Sequence, residues 1–92
     1  MKILAVCGMG LGSSLLLRIG VEEVLRELHV EASVEAVDIT TARGGGADLI
    51  VTSAQFAEML QGVGVPMVSI HDYVDRGEMR QKLRRALKME GE

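Results

Sequence analysis

Residues 7–14 read CGMGLGSS and hold the only cysteine of the chain. Gly8, Gly10 and Gly12 permit positive φ and let the backbone approach a ligand closely. Successive N–H groups in such a turn can point inward as an anion nest. A helix starting just after it adds free N–H donors and partial positive charge. Ser13 and Ser14 offer hydroxyl donors. The same field favours thiolate over thiol at Cys7. A thiolate is a strong nucleophile, and the nest would stabilise phosphoryl oxygens during transfer. The segment therefore suits a cysteine that accepts a phosphoryl group.

Taken alone, these residues also fit an inert buried thiol on a tight strand-to-helix turn, a frequent place for cysteine. Two other loop types are excluded. A nucleotide P-loop needs G-x-x-x-x-G-K-[ST], and no lysine follows these glycines. A dinucleotide fingerprint needs G-x-G-x-x-G, whereas here the glycines are spaced two apart throughout.

The surrounding elements must place that segment. Residues 3–6, ILAV, form an uninterrupted apolar run ending at Cys7, as in a strand buried on both faces. A helix is expected from a Ser13 or Ser14 cap to about Leu28. Its stripe is Leu17, Val21, Val24, Leu25 and Leu28, with Glu22, Glu23, Arg26 and Glu27 mostly opposite. Residues 32–37 alternate as a second strand, with Val34 and Ala36 on one side. Three consecutive glycines at 44–46 argue against a helix in DITTARGGG. DLIVT at 48–52 is a third strand, and Ser53 caps a short helix holding Phe56, Met59 and Leu60. VPMVSI at 65–70 is a fourth, with Pro66 near its start. Asp75 and Glu78 form a D-x-x-E helix start. Met79, Leu83 and Leu87 make the stripe of a last helix ending near Met89. Strands alternating with helices predict a parallel sheet covered on both faces, with the site outside the carboxyl ends of the strands. Cys7 falls there. No repeat or linker divides the chain, so residues 1–92 are expected to make one domain.

Composition narrows the function. The apolar fraction is 48% and the charged fraction 25%, with one Tyr and one Phe, so the core must be aliphatic. A net charge of −3 gives no case for nucleic-acid binding, and stacking aromatics are missing. No apolar run reaches the roughly 18 residues of a membrane span. The amino-terminal apolar run breaks at Gly8 without a convincing cleavage site. One cysteine makes no internal disulfide, which fits a reducing compartment. The expected location is the cytoplasm.

ILAV, CGMGLGSS and the leucine-rich helix that follows resemble the IIB subunits of the bacterial phosphoenolpyruvate-dependent sugar phosphotransferase system. The ascorbate-type group is the most similar, with galactitol-type and lactose/cellobiose-type relatives. ADLIVTS at 47–53 resembles that family's third strand. Met9 and Leu11 stand where ascorbate-type loops often carry polar residues. The resemblance implies a four-stranded parallel sheet of order 2-1-3-4 flanked by helices, similar to the low-molecular-weight phosphatase fold. It also implies a phosphocysteine intermediate. Cys7 would take a phosphoryl group from a phosphohistidine of a IIA partner. It would pass the group to a sugar, ascorbate-like or related, bound by the membrane IIC subunit. Gly8, Met9, Gly10, Leu11, Gly12, Ser13 and Ser14 would bind the phosphate. No metal or cofactor is implied, and membrane association would come only through IIC.

Two rivals remain. Low-molecular-weight phosphatases and their arsenate-reductase relatives carry C-x5-R-[ST] and an Asp-Pro general acid. Here Ser13 stands in the arginine position, and the only proline, Pro66, follows Val65. The other is a non-catalytic IIB-like regulatory module. His71 and Asp72 follow the fourth strand on the edge of Cys7, either as contacts to phosphate or partner or as an ordinary polar loop. Arg18, one turn into the first helix, could lend positive charge to the site. Asp38 could shape its rim. Ser53 reads as a helix cap, and His29 falls at the opposite edge. Arg80, Lys82, Arg84, Arg85 and Lys88 read as a solvated helix face.

Overall fold

We describe residues 1–6 and 11–87 of a computed structural model, apart from the side chains of residues 11–14. Four strands, β1 (Lys2–Val6), β2 (Ser33–Val37), β3 (Leu49–Thr52) and β4 (Met67–Ser69), alternate with helices α1 (Leu11–Glu27), α2 (Ile39–Arg43), α3 (Ala54–Met59) and α4 (Arg76–Ala86). The sheet is parallel throughout, in the order β2-β1-β3-β4, as expected. β1 is therefore an inner strand, and Ile3, Leu4, Ala5 and Val6 are all buried.

Strand alternation divides these residues between two cores. Ile3, Ala5, Val51, Val68 and Ile70 pack with Leu17, Val21 and Val24 of α1 and Met79 and Leu83 of α4. Leu4, Val6 and Ile50 pack on the other face with Ala42 of α2 and Leu60 just past α3. Buried aliphatic surface contributes about 25 cal/mol per Å² removed from water, and it holds both layers to the sheet.

The helix stripes fall where their spacing places them, but several local expectations need correction. α1 starts at Leu11, so Ser13 and Ser14 lie inside its first turn instead of capping it. α2 forms despite the glycines. Asp38 caps it by accepting from the Thr41 amide at 2.8 Å, and the glycines begin only at its C-cap, Gly44. Gly45 and Gly46 then take φ of 79° and 87°, so the run ends a helix and does not forbid one. Ala36 and Met59 are exposed. In the D-x-x-E start of α4, Asp75 does accept from the Glu78 amide at 3.0 Å. The Glu78 carboxylate turns instead to the preceding loop. α4 ends at a Leu87 C-cap, and the expected end near Met89 lies outside the described residues.

α4 runs beside α1, with Arg76 on Glu23 and Arg80 on Glu27, both at 2.7 Å. Gly20 makes this approach possible. A Cβ there would lie 2.7 Å from the Arg76 guanidinium and 2.8 Å from the Met79 sulfur. Arg80 thus pairs with α1, where a solvated face was expected.

Among the described residues, one polar side chain sits wholly inside the sheet. Thr52 ends β3, is fully buried, and donates its hydroxyl to the Val6 carbonyl at 2.6 Å. Thr52→Val keeps the shape and removes the donor. It should lower stability by about 1–3 kcal/mol, read as a lower urea midpoint at unchanged slope.

Candidate functional site

All four strands deliver their last residues to one edge. Val6 is in register with Thr52, and Thr52 with Ser69. Cys7 follows Val6 in sequence, and α1 begins four residues later at Leu11. Cys7, Gly8, Met9 and Gly10 lie outside the described residues, as do the side chains of Leu11, Ser13 and Ser14. Val6 and the first turn of α1 bracket them. That turn leaves N–H groups without intrahelical acceptors, and it carries no acidic residue to compete for them.

The other strands end in capped turns. Asp38 is occupied as the cap of α2, and its carboxyl is held low chiefly by the Thr41 amide. Ser53 accepts from the Phe56 amide at 3.3 Å, which makes it a helix cap as expected. Arg18 pairs with Glu22 one turn further along α1 at 3.4 Å. His29 lies past the carboxyl end of α1, at φ 58°, far along the helix from this edge. Leu15, Leu16 and Ile19 are exposed on the first half of α1, leaving apolar surface beside the segment.

His71 and Asp72 are more organised than a polar loop. Both N–H groups donate to the Glu78 carboxylate, at 2.9 and 3.1 Å. The His71 Nδ1 lies 2.9 Å from Glu78 Oε2. Lys82 donates to the same oxygen at 2.7 Å and to the Ser69 carbonyl at 2.6 Å. Partial burial pushes the Glu78 carboxyl up. The Lys82 ammonium, the two loop amides and the His71 ring outweigh it and hold the group at about 2, against its usual 4.5. Sequence reasoning saw Glu78 only as half of a capping box. Thr52 was missed too, although a polar residue closing the apolar run LIV was a visible signal.

This edge invites comparison with known proteins. The family model described as "PTS system, Lactose/Cellobiose specific IIB subunit" matches residues 2–85. The chain belongs to this IIB family. An ascorbate-specific PTS system EIIB component of Mycoplasma pneumoniae is 32% identical over 90 residues, covering 95% of each chain. That of Shigella sonnei is 28% identical over 90 residues, covering 95% of this chain and 89% of its own. A lactose-specific IIB component domain from Streptococcus pneumoniae has the same fold. Its TM-score is 0.60 at 19% identity, covering 99% of this chain and 98% of its own. As a IIB component the chain is a domain of the phosphotransferase system. Among the described residues, no helix is long and apolar enough to cross a membrane.

The Glu78 cluster sets an acid dependence. The folded carboxyl titrates below the unfolded one, so its ionised form contributes fully to stability above pH 4.5. That contribution is lost as pH falls through 2. In urea titrations from about pH 6 down to about pH 2, Glu78→Gln should be weaker than wild type at the upper end. The gap should close towards the lower end, because protonation removes the same interactions.

Proposed function

We propose that this IIB domain carries a phosphoryl group on Cys7, from a phosphohistidine of a IIA partner to a sugar bound by the membrane IIC subunit. The observation that supports it most is positional. Cys7 directly follows the inner strand β1, at the carboxyl edge, just before the amino terminus of the 17-residue helix α1. The family membership supplies the setting.

In the first transfer the Cys7 thiolate attacks phosphorus, and an S–P bond forms as the P–N bond to the donor histidine breaks. The departing nitrogen keeps the electron pair. The transition state spreads charge over the phosphoryl oxygens, where the main-chain amides of residues 8–14 and the hydroxyls of Ser13 and Ser14 donate. In the second transfer a sugar hydroxyl oxygen attacks the same phosphorus. Its proton leaves, an O–P bond forms, and sulfur departs as thiolate. Both steps are positioning chemistry and need neither metal nor cofactor. No arginine follows the cysteine at the place where a phosphatase grips phosphate, which suits a carrier that must hold its cargo. Exposed Leu15, Leu16 and Ile19 on the first half of α1 offer apolar surface for the partners to dock on.

The names of the relatives favour ascorbate or a related carbohydrate as the acceptor. The 92 residues act as one IIB unit, working on the cytoplasmic side and reaching the membrane through IIC.

Intact-protein mass spectrometry tests the acceptor step. Incubated with phosphoenolpyruvate, the general phosphotransferase proteins and its IIA, wild type should gain one phosphoryl mass, mapped to residue 7. Cys7→Ser should gain none from a IIA shown to be phosphorylated. An unmodified wild type would overturn the proposal.

A further inference from the structure

The two helical layers are unequal. Over one face, α1 and α4 are long, bury Leu17, Val21, Val24, Leu25, Met79 and Leu83, and are joined by ion pairs. Over the other face, α2 has five residues and α3 six. α2 buries only Ala42. α3 buries none of its own residues, and Leu60 is buried just past it, as its C-cap. Helices this short do not persist in water without packing. Little apolar surface holds these two to the sheet.

Both helices return to the sheet through glycine. Gly45 and Gly46 follow α2, and Gly62 and Gly64 follow α3, with φ between 79° and 88°. Among the described residues, these four are all the glycines at positive φ. A Cβ at any of them would meet no atom within 4 Å. Close approach therefore does not require them, and their use is conformational. Glycine also gives the segment the most entropy to gain when it opens.

The short helices are also tied to each other. The Arg43 guanidinium at the end of α2 donates to the Met59 carbonyl at the end of α3, at 3.2 Å. Ala42 and Leu60 belong to one core. Losing either helix removes a hydrogen bond from the other and opens the core they share.

We infer that α2 and α3 form one opening unit, which leaves the sheet by local unfolding while the sheet, α1 and α4 stay folded. Segments with few buried contacts open in this way well below the free energy of global unfolding. The caps Asp38 and Ser53, which start the two helices, directly follow the last residues of β2 and β3. The unit therefore borders the carboxyl edge of the sheet. That edge has a fixed side, built by α1 and α4, and an adjustable one. The inference stands independently of the carrier reading of Cys7.

Native-state hydrogen exchange, followed amide by amide by NMR, tests it. The amides of Ala42 and Gly45, bonded to the carbonyls of Asp38 and Ala42, report on α2. Those of Ala57 and Leu60, bonded to the carbonyls of Ser53 and Phe56, report on α3. The Ile70 amide, bonded to the Thr52 carbonyl, reports on the sheet. In wild type the four helix amides should share one opening equilibrium. Corrected for intrinsic rates, they should exchange at least about 100-fold faster than Ile70. Gly62→Ala puts an L side chain at φ 88° in open space. It should raise opening by about 5- to 30-fold, at Ala42 and Gly45 as fully as at Ala57 and Leu60. Ser53→Ala, which removes only the α3 cap, is the second variant and should raise all four by about 2- to 30-fold. Helix amides as protected as Ile70 would overturn the inference. So would unequal opening of the two helices in wild type, or an increase confined to α3 in either variant.

Discussion

Burial of β1 on both faces is the constraint on which the other features rest. Ile3 and Ala5 face one helical layer and Leu4 and Val6 the other, so the strand cannot slip by one residue without exchanging both cores. Its neighbours on either side bond to it along its length. The Thr52 hydroxyl then ties the last carbonyl of the strand to the adjacent one. Cys7 thus follows a strand whose register is fixed from both faces. Precise placement matters for the proposed transfer, whose barrier depends on alignment more than on acid–base chemistry.

The helical layer over one face carries that order outward. Gly20 admits Met79 and Arg76 against α1, and ion pairs with Glu23 and Glu27 keep the two helices in step. Exposed pairs of this kind add little stability singly, and their value here is registry. α4 in turn holds Glu78 and Lys82 under the end of β4. Lys82 also occupies the Ser69 carbonyl, a group on the sheet's edge strand that would otherwise be open to another strand. The edge is organised from both sides, by β1 and by α4.

Much of this was legible in the sequence because burial leaves a pattern. ILAV and LIVT read as strands since both their faces are apolar, and Leu17, Val21, Val24 and Leu25 mark the inner side of α1 by spacing alone. Strand order came from the resemblance of ILAV, CGMGLGSS and ADLIVTS to a known family and not from periodicity. The failures share a cause. Glycines 44–46 read locally as breakers of the segment before them, whereas a helix uses them to stop. Glu78 fitted a local capping pattern, but its carboxylate found better partners across a tertiary contact. Arg76 and Glu23 are 53 residues apart, and nothing local announces such a pair. The site followed the same division. CGMGLGSS named its chemistry through residue types, while the ordering of His71 by Glu78 depends on a helix that returns to the loop.

The central claim is that Cys7 holds a phosphoryl group for a sugar and does not release it to water. The most direct measurement is a discharge experiment. Chain labelled with radioactive phosphate on Cys7 is freed of IIA and mixed with membranes carrying the IIC subunit and its carbohydrate. The account predicts slow loss of label to water alone, and rapid appearance of label on the sugar when both membranes and sugar are present. Label released as inorganic phosphate at the same rate with or without the sugar would contradict it.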